Sequence, residues 1–191
     1  MSRRIVAKVG GSLFDLPDLR KRLNRWLASV APTPVLFLPG GGELADAIRN
    51  LHHTHRLPEE TSHWLAIRTM SVNAHFLAAL LDVPVVSSTA DWAGNAVLDA
   101  LPFFTADEGR PGALPHSWKI TSDSLAARVA EVSGADLALL KSAEQPASND
   151  WEALAVAGYV DRFFPQMAGR VPRVSCVNVR ETQPAVNPGN R

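Results

Sequence analysis

Ile5-Val6-Ala7-Lys8-Val9-Gly10-Gly11-Ser12-Leu13 decides the fold. The stretch opens as a short apolar run rich in β-branched residues, the pattern of a buried strand. One lysine interrupts it, two glycines and a serine end it, and a helical pattern follows at once. A lysine inside a buried strand is costly unless an anion lies nearby. A Gly-Gly pair lets the backbone approach a ligand closely and aim N–H groups at it. The helix that follows then turns its positive end toward the same point. Together these features predict a phosphate site. The spacing is neither that of the P-loop nor that of the dinucleotide-binding glycine motif.

The pattern recurs. Beyond a helix with apolar residues at Leu16, Leu19, Leu23, Trp26, Leu27 and Val30, for which Asp15 is the expected N-cap, Val35-Leu36-Phe37-Leu38 forms a second apolar run. It enters Pro39-Gly40-Gly41-Gly42, and a helix is expected from about Glu43. Parallel strands carried back by helices would bring both glycine loops to the C-terminal edge of one sheet, where α/β proteins bind ligands. A single glycine would serve a tight turn, so three in a row favour a phosphate loop.

Composition narrows the class. The 191 residues suffice for one sizeable core, and 46% hydrophobic with 20% charged residues is an ordinary globular balance. Nineteen basic and nineteen acidic residues give zero formal net charge, so no basic surplus points to nucleic acid or an anionic membrane. Cys176 is the only cysteine, which excludes an internal disulfide and a cysteine-built metal site. The chain enters a strand without a signal peptide, and no apolar run of membrane-spanning length stands out. A cytoplasmic location is expected.

Further along, His52, His53 and His55 fall in a polar connection bounded by Pro58. A metal site and a solvated helix end are both open there, the latter favoured. A long helix is expected over Glu59–Leu81, with a stripe of Trp64, Ile67, Met70, Ala74, Leu77 and Leu81. His63, Arg68 and Asn73 lie off that stripe, on the surface or at the site. Val83–Val86 reads as a third strand, Asp91 as the cap of a helix holding Trp92, Val97 and Leu98, and 99–119 as irregular. Thr121 or Ser122 should cap a helix whose first turn holds Asp123. An acid there is a favourable partner of the helix dipole in any protein. Ala135–Lys141 is a strand ending on a lysine, Trp151–Val156 a helix, and Arg173–Val179 the last strand. The tail from Thr182 to Arg191, with two prolines, is expected to be disordered.

Lys8-Val9-Gly10-Gly11-Ser12, Gly40-Gly41-Gly42, Thr121-Ser122-Asp123-Ser124 and Leu140-Lys141 together resemble the amino acid kinase fold family. That family includes acetylglutamate, aspartate, uridylate and isopentenyl phosphate kinases. Leu114–Trp118, His63–Ala66 and Val160–Pro165 are similar to its short branch, typified by the archaeal aminomethyl-furanmethanol phosphate kinase of methanofuran biosynthesis. The resemblance implies a three-layer αβα sandwich with an open, mainly parallel sheet over residues 1–181. An acceptor half would cover about 1–115 and an abbreviated nucleotide half about 116–181. It implies transfer of the γ-phosphate of ATP, with Mg2+, to a phosphorylated small molecule, in a one-carbon cofactor pathway. Lys8 and Asp123 would be catalytic. Gly10, Gly11, Ser12, Gly40, Gly41 and Gly42 would bind phosphate or substrate, and Ser122 and Lys141 the nucleotide. The chain departs from longer members in having no glycine- and lysine-bearing loop after Lys141. Only Arg162, Arg170, Arg173, Arg180 and Arg191 supply positive charge there. A non-catalytic nucleotide- or anion-binding relative and an amino acid kinase forming an acyl phosphate stay open as alternatives. A homodimer through the long helix is as compatible with the pattern as a buried helix.

Overall fold

The computed structural model describes residues 4–181, so the expected disordered tail lies outside the described residues. Six strands form one sheet: β1 (Ile5–Val9), β2 (Val35–Pro39), β3 (Val85–Val86), β4 (Ala96–Leu98), β5 (Asp136–Lys141) and β6 (Val174–Asn178). Their order is β3-β4-β2-β1-β5-β6, and every pair is parallel. The helices are α1 (Leu19–Val30), α2 (Gly42–His55), α3 (Glu59–Leu81), α4 (Ala100–Asp107), α5 (Ser122–Ser133), α6 (Trp151–Val156) and α7 (Phe164–Ala168).

The sheet is covered on both faces, as an all-parallel sheet requires. Side chains alternate across a strand, and the core divides accordingly. Val6, Leu36, Leu38, Leu137 and Leu139 face α5, α6 and α7. Ile5, Ala7, Val9, Phe37, Ala138 and Leu140 face α1 and the second half of α3. This parity positions the site. Lys8 shares the face of Val6, and Lys141 that of Leu137 and Leu139. On adjacent strands β1 and β5, both lysines therefore point to the side covered by α5.

The expected elements hold at β1, β2, α3, α5, β5, α6 and β6, with ends shifted by a residue or two. Four expectations are corrected. A one-turn 3-10 segment, Gly11–Leu13, follows β1, and α1 starts only at Leu19. Asp15 accordingly caps no helix and instead receives Arg180. Val97 and Leu98 belong to strand β4, not to a helix capped by Asp91. Residues 100–107 within the stretch expected to be irregular form α4, whose N-cap Asp99 accepts from Leu101 N at 3.1 Å. By length and composition α3 could cross a membrane, with a mean hydropathy of 1.2 over its most apolar 18 residues. Here it packs against α2, α4, β2 and β4 and buries Ile67, Met70, Ala74 and Leu77, as a core helix does.

Candidate active site

The two glycine loops meet above β1 and β2, because these strands pair in register and end together. Gly10 N donates to Leu140 O at 2.9 Å, and Gly40 N to Val9 O at 2.8 Å. The loops are in backbone contact. A Cβ added to Gly11 would lie 2.4 Å from Gly42 Cα, so no side chain fits at this point. Gly42 has φ +55, a conformation glycine adopts without strain. Asn73 of α3, buried, pins the second loop by donating from Nδ2 to Gly40 O and Gly41 O at 2.8 and 2.9 Å. Ser12 Oγ lies 2.7 Å from Ser142 Oγ, tying the first loop to the end of β5.

Below the loops lies a buried ion cluster. Lys8 Nζ sits 2.9 Å from Asp123 Oδ1, and Lys141 Nζ 2.7 Å from Asp123 Oδ2. Lys141 Nζ also donates to Tyr159 O at 2.5 Å. Burial by itself would raise the Asp123 pKa, but the two ammonium groups outweigh it and hold the carboxyl below the usual carboxylate value. Burial and the like charge of Lys8 push the Lys141 pKa down, partly offset by Asp123. Two ammonium groups share one carboxylate, so the cluster carries a surplus positive charge. Removing an ion from water costs several kcal/mol, and only one of the two cations is matched. An anion above the loops would supply the missing partner.

The turn that carries Asp123 is held by a residue that sequence reasoning did not single out for this part. Asp161 Oδ2 accepts from Thr121 N, Thr121 Oγ1 and Ser124 N, each at 3.0 Å. Its Oδ1 accepts from Ser124 Oγ at 2.6 Å and from Phe163 N and Phe164 N at 3.0 Å. One carboxylate thus caps α5 and the entry to α7 together, while Thr121 makes no side-chain cap to its own helix. The aspartate just before α7 was the available signal. Its reach to a segment 40 residues earlier comes from the fold.

Two cavities flank the glycine loops and share Gly11, Ser12, Gly41, Gly42 and Asp46. The first, about 230 Å³, has an apolar wall of Ile67, Met70, Ile120 and Leu125 and a polar one of Ser122, His63 and Trp118. His63 is buried and stacks on His116 with ring centroids 4.6 Å apart. Desolvation, helped by His116, lowers its pKa to about 4, so it is neutral at physiological pH. The Arg49 guanidinium lies 4.9 Å from the Trp118 ring centroid. The second cavity, about 510 Å³, lies toward Phe14, Phe76 and Arg180. His52, by contrast, ends α2 beside Ser62, with Nδ1 2.8 Å from its hydroxyl. Among the described residues no group of three or more His, Cys, Asp or Glu side chains could hold a metal ion.

The expected site residues converge, therefore, with Lys141 placed on Asp123 alongside Lys8. Residues 3–144 match the family model of the amino acid kinase family. The chain belongs to the amino acid kinase family. Over 123 residues this amino acid kinase family chain is 28% identical to the [5-(aminomethyl)furan-3-yl]methyl phosphate kinase of Methanocaldococcus jannaschii. The match covers 63% of this chain and 56% of that relative, so it spans about half the relative's length. Solved structures with the same fold include the uridylate kinase of Archaeoglobus fulgidus, at TM-score 0.62 and 16% identity over 89% of this chain and 88% of that one. The UMP kinase of Bacillus anthracis superposes at TM-score 0.66 and 12% identity, over 94% and 88%. At such identities the likeness establishes the amino acid kinase fold and nothing finer.

Proposed function

We propose that this protein is a small-molecule kinase that transfers the γ-phosphate of ATP to a phosphomonoester. The observation that carries the reading is the buried Lys8–Asp123–Lys141 cluster, with its surplus positive charge, beneath glycine loops shared by two cavities. Phosphoryl transfer asks a protein to position two anions in line and to neutralise charge in flight. Two cavities meeting over one pair of glycine loops suit a donor and an acceptor arriving from opposite sides.

Lys8 is the main charge-neutralising residue in this account. A lysine about 4 Å from a phosphate oxygen contributes about 4 kcal/mol at an effective dielectric of about 20. A helix N-terminus adds only about 0.3–1 kcal/mol. Asp123 holds Lys8 and Lys141 in place, and the N–H groups of Gly10, Gly11, Ser12 and Gly40–Gly42 receive phosphate oxygens. Lys141 stays on the nucleotide side, whereas Ser122 lines the smaller cavity, and both halves of the chain, about 1–115 and 116–181, contribute lining to each cavity. Among the described residues no acidic cluster offers Mg2+ a protein cage, so the phosphate oxygens of ATP would hold it, and there it would lower their charge. No general base is required, because a phosphomonoester oxygen is already ionised at neutral pH.

The smaller cavity suits the acceptor. Its 230 Å³ falls below the roughly 300–1,000 Å³ usual for larger ligands. Neutral His63 and the apolar wall favour an uncharged organic group behind the phosphate. A furanylmethyl phosphate, as in the name of the archaeal relative, is the first acceptor to try, which would place the reaction in one-carbon cofactor synthesis. The test is ³¹P NMR of the purified protein with MgATP and, separately, that furanylmethyl phosphate, UMP and N-acetylglutamate. A new diphosphate doublet with a phosphomonoester is expected. Transfer to the carboxylate alone, or no transfer with intact ATP binding, would overturn the proposal in favour of an acyl-phosphate kinase or a non-catalytic binder.

A further inference from the structure

Arg180 follows β6 and turns back to the first glycine loop. Its Nη2 donates to Ser12 O at 2.8 Å and to Asp15 Oδ1 and Oδ2 at 2.7 and 2.6 Å. Arg22 fixes the segment from below, its Nη1 donating to Val179 O at 3.0 Å and Arg180 O at 2.6 Å. The guanidinium contacts of Arg180 thus use one nitrogen. A guanidinium carries five N–H donors in a planar fork, and Nε and Nη1 have no partner among the described residues.

Arg180 lines the larger cavity, about 510 Å³, together with Gly11, Ser12, Gly41 and Gly42. Arg180 is the only cation lining it among the described residues. Of the acids there, Asp15 is paired with Arg180 and Asp46 with Arg49, and Glu43 lies in the first turn of α2. Among the described residues, the other late arginines do not reach this point. Arg170 lies 3.8 Å from Glu131, and Arg162 and Arg173 line neither cavity.

We infer that Arg180, two residues beyond the last strand, binds the phosphate chain of the nucleoside triphosphate donor. The inference rests on the kinase reading above. Nε and Nη1 can each donate a charge-assisted hydrogen bond to a phosphate oxygen. Asp15 and Ser12 O hold Nη2, so the guanidinium is fixed in place before the donor arrives.

The test is calorimetric titration of ATP and of inorganic tripolyphosphate into the wild type, Arg180→Lys and Arg180→Ala, with steady-state kinetics beside it. Loss of a charge-assisted contact predicts about 10- to 100-fold weaker binding of both probes in Arg180→Ala. Arg180→Lys should recover part of this, and KM for ATP should rise while KM for the acceptor stays put. An arginine that only latched the glycine loop would disturb both cavities. KM for the acceptor would then rise as much as KM for ATP, which overturns the inference. ATP affinity unchanged in Arg180→Ala also overturns it, while leaving the kinase reading intact. A wild type that binds neither ATP nor tripolyphosphate would overturn both.

Discussion

Two buried ion clusters lie on the same side of the sheet, and they differ in charge balance. In the first, Lys8 and Lys141 share Asp123. In the second, Arg128 grips Asp107 through Nε and Nη2 at 2.8 and 2.9 Å and meets Glu131 through Nη1 at 2.9 Å. Asp107 and Asp123 are equally buried, at 4% exposure. The Arg128 pKa is raised, chiefly by its hydrogen bonds to Asp107, so its charged form is favoured where it sits. The Lys141 pKa is lowered by burial and by Lys8. Arg128 also donates to Pro111 O at 3.0 Å, tying α5 to the chain beyond α4. The arginine cluster sets two acids, Asp107 and Glu131, against two cations, Arg128 and, at 3.8 Å from Glu131, Arg170, and closes on itself. The lysine cluster holds one cation more than it has acids, directly beneath two glycine loops. Equal burial with unequal balance separates a structural lock from an anion site.

The largest effect is expected at the lock. Asp107→Ala removes the two-bond partner of a buried guanidinium, leaving it Glu131 and Pro111 O, and should cost about 3 kcal/mol of stability, read as a lower urea midpoint. Replacing both partners by apolar residues, Asp107→Leu with Arg128→Met, should recover much of that loss. If the single variant kept wild-type stability, the contrast between the clusters would fail.

A smaller effect sharpens the comparison with a titratable group on which burial outweighs the nearby charge of Glu108. His63 titrates at about 4 when folded and near 6.5 when unfolded. Between these values the unfolded chain binds a proton that the folded one does not, so stability falls as pH drops from about 6.5 toward 4. The loss should reach about 2–3 kcal/mol, allowing for partial solvation. Chemical denaturation at pH 7 and pH 4.5 should show this in the wild type and much less of it in His63→Phe. An identical pH dependence in the two would contradict the assignment.

Much of this was legible in the sequence, where local chemistry carried the signal. Lys8 in an apolar run, the two glycine loops and Asp123 beside a helix cap could all be read directly. Strand β4 escaped because three residues, Ala96-Val97-Leu98, are too few to declare a period. Helix α4 escaped because Pro102 reads as a breaker, although it sits in the first helical turn, where its missing N–H is not needed. The joint hold of Lys8 and Lys141 on Asp123 depends on β1 and β5 being neighbours, which strand order alone decides. Asp161 and Arg180 act over 40 and 168 residues of separation. No local pattern carries such information.

The central claim is that the surplus charge at Lys8, Asp123 and Lys141 exists to hold a phosphate. Calorimetric titration of MgATP into the wild type and Lys8→Ala tests it most directly, with thermal unfolding as a check on the fold. Micromolar affinity in the wild type, weakened by about 10²-fold in a variant that still folds, is the expected result. Equal affinity in the two proteins would contradict the account.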